Sequence, residues 1–188
     1  MNKKIKKTYK LAEYLFPEID NYCKNCNTCC NTYGWLIDNE VDDFLDKKYS
    51  VFQINKTLHC LDSFVRDKNN KIIINKIPKC LFYKKNRCLI YSNRPLDCRL
   101  YPIKIKFKKN KIIVGLSLGC KYVSSLSEKE KVYLCARAIV FLKKAPQEII
   151  NNYLNIMKNV NSISDPKNFQ IKNIVELKEQ NGRWKILE

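Results

Sequence analysis

Val41, Phe44 and Leu45 follow Asp38 at helical spacing, with acidic side chains in the first turn, and this predicts a short helix over residues 38–48. The apolar stretches 61–66 and 71–76 flank the polar run Asp67-Lys68-Asn69-Asn70 and predict a hairpin. A second hairpin shows a more regular alternation. Ile103, Ile105 and Phe107 alternate with Lys104, Lys106 and Lys108, and Ile112, Val114 and Leu116 return after Lys109-Asn110-Lys111. The expected sheet has one lysine-rich face. Further on, Ser127 and Glu130 form a capping-box signature, followed by Val132, Cys135, Ala136, Ile139 and Val140 on one predicted helix face. Pro146 opens another helix through Ile149, Ile150, Tyr153, Leu154 and Met157, and the short connection predicts an antiparallel helical pair. The tail, residues 174–187, alternates around Asn181-Gly182, a strong short hairpin signal.

These elements define a small α+β fold: short hairpins and irregular loops, with a C-terminal helical pair plus hairpin. The expected organisation is a cysteine-cluster domain over residues 1–122, with residues 123–188 packed on it. At 188 residues the chain has room for one compact domain or a small domain with an appended piece, which excludes a large multi-domain enzyme. With 45% hydrophobic and 29% charged residues it has the means to fold, so whole-chain disorder is excluded as well.

The basic start is followed by an apolar stretch that Glu13, Pro17, Glu18 and Asp20 interrupt, which does not read as a signal peptide. The run from Val132 to Leu142 is broken by Arg137 and falls short of the roughly 20 residues a bilayer span requires. The expectation is a cytoplasmic protein with no membrane contact. The net charge of +18 is uneven: residues 68–122 hold 15 basic side chains against the single Asp97, whereas residues 31–67 hold seven acids and four bases. Such polarity predicts an acidic protein partner or protein complex on the basic face, with nucleic acid as the alternative. A bias in composition alone produces the same numbers when the lysines merely solvate the surface.

Ten cysteines make a metal centre the central expectation, because in a reducing cytoplasm clustered thiols serve as ligands or redox groups rather than disulfides. Cys23, Cys26, Cys29 and Cys30 form a C-x2-C-x2-C-C run, and Cys80, Cys88, Cys98 and Cys120 follow. A C-x2-C-x2-C run can aim three thiolates at one cubane cluster, so an iron–sulfur cluster of the 4Fe–4S type is the expected cofactor. Zinc is the rival, since eight thiolates also build two four-cysteine sites. Adjacent residues direct their side chains differently, so Cys29 and Cys30 are expected to serve different metal ions or opposite sides of one cluster rather than share one iron, and the first option groups Cys30 with the distal set. Cys135, on an apolar helix face, and Cys60 are read as packing residues. His59, the only histidine, is read the same way.

The block Cys88-x-Ile90-Tyr91-x2-Arg94-Pro95-x2-Cys98-Arg99-x-Tyr101-Pro102, together with Cys23-x2-Cys26-x2-Cys29-Cys30, Cys80 and Gly119-Cys120, resembles the YkgJ-type cysteine-cluster family, a zinc- or iron-chelating domain. Asn27 stands where that family often has glycine, and asparagine tolerates the left-handed conformation such a position asks for. The resemblance implies a domain built around eight thiolates, with Arg94 and Arg99 near the metal and Pro95 and Pro102 fixing the loop. An arginine beside a thiolate centre offsets charge and donates hydrogen bonds to sulfur.

The chain also looks like the cysteine-rich part of flagellin lysine-N-methylases, which brings in a cluster-dependent protein-modifying enzyme as an alternative. Its four glycines, Gly34, Gly115, Gly119 and Gly182, form no glycine-rich cofactor loop. The leading expectation is therefore an iron–sulfur protein for electron transfer, cluster delivery or assembly of another metalloenzyme. The alternatives are that enzyme and a zinc-binding interaction module for RNA or an acidic protein. No catalytic residue is assigned, and no carboxylate pair or Ser-His-Asp set supports hydrolysis.

Overall fold

The N-terminal segment, to which the apolar spacing assigned no element, is helical. Asn2 caps α1 (Lys3–Leu15) by accepting from the Lys4 amide at 2.8 Å, and Ile5, Tyr9 and Ala12 recur on one buried face at helical spacing. Phe16 ends the turn, and Pro17 opens α2 (Pro17–Cys23), whose last residue is the first cysteine. The chain is seen here in a computed structural model, which describes residues 2–23, 26, 33–73, 79–85, 87–108, 111–163, 171–180 and 183–186.

After β1 (Trp35–Leu36), the helix expected over 38–48 is present as α3 (Asp38–Asp46). Next comes a hairpin that the spacing did not assign, β2 (Val51–Asn55) and β3 (Leu58–Leu61), with β3 in the centre of a three-stranded antiparallel sheet. The hairpin expected over 61–66 and 71–76 is present in shortened form: one antiparallel bridge joins Arg66 and Ile72, the Asp67 and Ile73 amides donate to the Lys71 and Val65 carbonyls at 2.9 and 2.8 Å, and Asp67 closes the turn by accepting from the Asn69 and Lys71 amides at 2.8 and 2.9 Å. Residues 74–76 of that expectation lie outside the described residues.

A two-stranded hairpin, β4 (Tyr83–Lys84) and β5 (Arg87–Cys88), a 3₁₀ turn at Tyr91–Asn93 and α4 (Leu96–Leu100) carry Cys88 and Cys98, with Cys80 just before β4. The lysine hairpin follows as β6 (Ile103–Lys108) and β7 (Lys111–Ser117), with Ile105 opposite Val114. Ile103 and Ile105 are buried, while Lys104 and Lys106 alternate to the other face and are half-buried, the Lys104 ammonium lying 5.3 Å from the Tyr101 ring centre.

Beyond α5 (Lys121–Ser125), the Ser127–Glu130 capping box starts α6 (Glu128–Lys144), and α7 (Gln147–Ile163) follows Pro146. The buried face of α6 is Leu134, Cys135, Ala138, Ile139 and Phe141; Val132 and Ala136 are exposed. The expected stripe was rotated because α6 has apolar residues on most of its circumference, so periodicity alone does not choose the face. Contact with α1, where Phe16 and Phe141 stack 6.2 Å apart, and with the sheet does. Each of the two C-terminal helices lies mainly on the sheet, α6 on β7 and α7 on β6.

The terminal hairpin is β8 (Ile171–Gln180) and β9 (Arg183–Ile186), leaving two residues for the turn at Asn181-Gly182, which lies outside the described residues. Its first strand pairs with β7, so four antiparallel strands in the order β6-β7-β8-β9 form one sheet. The main core lies between this sheet and α1, α6 and α7. A second, smaller core of Leu36, Phe44, Leu61 and Ile90 is flanked by Cys80, Phe82 and Cys88.

Candidate metal centre

Cys23 stands at the C-terminal end of α2, and a turn in which the Cys26 amide donates to the Cys23 carbonyl at 3.2 Å brings Cys26 beside it. Cys80 precedes β4 and Cys88 sits on β5, paired with Tyr83 across the hairpin. Cys98 lies in the middle of α4. These five cysteines, from three separate stretches of chain, line one cavity of about 40 Å³ together with Leu61, Ile90, Tyr91 and Arg94. That is several times the ~10–15 Å³ that one water needs. Among the described residues, no three thiol, imidazole or carboxylate side chains converge at metal-ligand distance. The thiols form the cavity's wall rather than a closed ligand cage. Cys29 and Cys30 lie outside the described residues.

Gly34 makes the room. A Cβ at this position would stand 2.9 Å from the Cys98 sulfur and 3.3 Å from Leu61, so any side chain here pushes the thiol aside. The spacing of cysteines did not single out this glycine; its place four residues before α3 carries no local signal.

Arg94 and Arg99 have different surroundings. Arg94 lines the cavity, is buried, and stacks its guanidinium 4.1 Å from the Tyr91 ring centre. Burying a guanidinium costs several kcal/mol unless anions or π faces replace water, and thiolates of the same cavity are suitable anions. Arg99 is also buried but reaches away from the cavity. It donates to Glu13 at 2.5 Å and to the carbonyls of Arg94 at 3.0 Å and Ser92 at 2.5 Å, over the Tyr9 ring at 4.0 Å. Its action on the centre is thus mechanical, clamping the loop that presents Arg94 and Cys98 to α1.

Two buried carboxylates that the sequence did not mark complete this clamp. Glu40 accepts from the Tyr9 hydroxyl, the Leu96 amide at 2.7 Å and the Ile37 amide at 3.1 Å, so it joins α1, α3 and the start of α4. Burial pushes its carboxyl up to about 7 against these hydrogen bonds, which pull it down. Asp97, next to Cys98, accepts from the Trp35 amide at 3.3 Å and the Tyr153 hydroxyl at 3.2 Å. Burial and this carboxylate hold the Tyr153 phenol well above its usual range.

Cys120 is outside the cavity wall. It is buried in the main core at the start of α5, though Tyr122 stacks on Tyr22, 5.2 Å apart, which sets this turn against the end of α2. Cys60 on β3 and Cys135 on α6 are buried, and burial pushes both thiols up to about 12. Neutral thiols packed in a core are inert, as their apolar settings predict. His59, on the strand that carries Cys60, pairs with Leu36 and Gln53 and does not line the cavity.

The donor set fits a thiophilic metal. Five sulfurs, an apolar wall and one buried cation suit zinc or iron, whereas calcium and magnesium ask for oxygen ligands. The fold and this site define a small α+β metal-binding domain organised around a cysteine cluster. The chain belongs to the CxxCxxCC family, described as a "putative zinc- or iron-chelating domain", whose model matches residues 22–121 and so takes in every cysteine of the cavity. No curated protein and no solved structure matches the chain. Among the described residues, no helix is long and apolar enough to cross a membrane.

Proposed function

We propose that the cavity holds an iron–sulfur cluster of the 4Fe–4S type and that the protein serves in electron transfer, or in delivering the cluster to another metalloenzyme or assembling it there. The observation that supports this is the number of thiols on one cavity. Five described cysteines line it, one more than a single tetrahedral zinc site binds. In the sequence Cys29 and Cys30 follow Cys26 as two further thiols of the same run. A 4Fe–4S cluster takes four thiolates, three of which a C-x2-C-x2-C run can deliver, and a fifth thiol on the wall allows exchange of a ligand during transfer. Leu61 and Ile90 keep water from the wall, and Arg94 offsets the negative charge that a thiolate-bound cluster carries.

The test is anaerobic purification followed by metal and sulfide analysis. Iron and acid-labile sulfide in rough parity, with broad visible absorption, support the proposal. Colourless protein with stoichiometric zinc and no sulfide overturns it in favour of a zinc-stabilised interaction module. Cys23→Ser and Cys98→Ser each lose metal, while Cys135→Ser retains it, because that thiol is buried away from the cavity.

A further inference from the structure

The hairpin that carries Cys80 and Cys88 has an outer surface at odds with its small size. Leu81 and Leu89, each the residue after a cavity cysteine, are 44% and 52% exposed. Around them Lys79, Lys84, Lys85 and Arg87 are also exposed, and residues 79–90 contain no acid. Among the described residues no ion pair engages any of these four cations. The inner side of the same hairpin is fixed: Phe82 stacks on Tyr49 at 5.2 Å, and the Leu89 amide donates to the Phe82 carbonyl at 2.8 Å. The outward leucines are therefore displayed by a braced element, not left by a loose one. The Leu81 amide donates to the Asp62 carbonyl at 3.4 Å, and the Asp62 carboxylate is already paired with Arg66 at 2.8 Å.

We propose that this hairpin is the docking edge for an acidic protein that exchanges electrons or metal with the centre, a proposal that rests on the iron–sulfur reading above. Two exposed leucines on a hairpin with four exposed cations match an acidic partner that also offers an apolar contact: the leucines supply contact area and the cations steer the encounter. A nucleic acid would use the cations but leave both leucines in water, which disfavours it. Docking here places the partner against the elements that hold Cys80 and Cys88, so the exchange path is the thickness of one hairpin.

The test uses the purified metal-loaded protein with two kinds of probe. First, if the centre is redox-active, oxidation of the reduced protein is timed with anionic ferricyanide and with cationic tris(phenanthroline)cobalt. Lys84→Glu/Lys85→Glu/Arg87→Glu is expected to slow the anion about tenfold at low salt and to speed the cation, with metal content unchanged. Second, binding of an acidic plant-type ferredoxin and of poly(U) is measured by calorimetry. The ferredoxin is expected to bind in a salt-dependent way and to lose about tenfold in affinity both in the charge-reversed protein and in Leu81→Ser/Leu89→Ser. Equal affinities in wild type and the leucine variant, no ferredoxin binding, or preferential binding of poly(U) each overturn the docking edge. A protein that holds zinc instead refutes the redox reading alone, since the calorimetric arm still decides the docking.

Discussion

Gly34 shows how a single side chain, or its absence, decides whether a thiol reaches a metal. Its missing Cβ leaves the space that the Cys98 sulfur borders at 2.9 Å. Gly34→Ala is expected to keep the fold, since residues nearby can shift by tenths of an ångström, but to displace Cys98 and lower metal affinity about tenfold or more, in the range seen when groups supporting a ligand are changed. Competition with a chromophoric chelator measures it, and unchanged affinity would mean that Cys98 is not a ligand. At the same scale, Cys60 and Cys135 are separated from the cavity set by chemistry as well as place: their thiols are pushed up to about 12, whereas a ligand must give up its proton.

Among the elements, α4 has five residues, too few to be stable by itself. It persists because buried groups from elsewhere hold its first turn, chiefly Glu40 on α3 and Tyr9 on α1. Glu40 also makes the hold depend on pH. Its folded carboxyl titrates near 7 and its unfolded one near 4.5, so its contribution is fully present below about 4.5 and is lost as pH rises through about 7. That interval corresponds to on the order of 3 kcal/mol. Glu40→Gln resembles the protonated acid at every pH. Urea titrations are expected to show the variant gaining on wild type between pH 5 and pH 8 by an amount of that order, with the two closest at the acid end. A constant difference across this range would refute the assignment.

For the whole molecule the decisive feature is the sheet that runs from β6 to β9 across residue 122. Strand β7 lies between β6 and β8, and Ile112, Val114 and Leu116 on it belong to the main core. A chain ending at residue 163 turns β7 into a long apolar edge with unpaired amides. It is expected to associate or precipitate, as size-exclusion chromatography will show, and a monodisperse monomer would contradict this. The N-terminal half is tied in as well, since α1 packs on α4 and α6, and Arg99 and Arg137 pair with Glu13 and Glu18. The metal cavity thus rests on both ends of the chain.

Local chemistry was legible in the chain itself. The C-x2-C run, the Cys88-to-Cys98 block, the Ser127 capping box and the period-two alternation of β6 and β7 each depend on residues close in sequence, where spacing translates directly into geometry. The helix α1 was legible too, from Asn2 and the spacing of Ile5, Tyr9 and Ala12, had the apolar positions been weighed over the lysines between them. Other features rest on partners far apart in sequence, and no local pattern encodes those. Glu40 meets Leu96, Arg99 meets Glu13, Gly34 faces Cys98, and β8 joins β7 only once the chain has folded back. The tertiary structure likewise chose the buried face of α6, because a helix that is apolar on most sides takes its orientation from what packs against it. Sequence determined which residues can bind metal; packing decided that five of them share one wall.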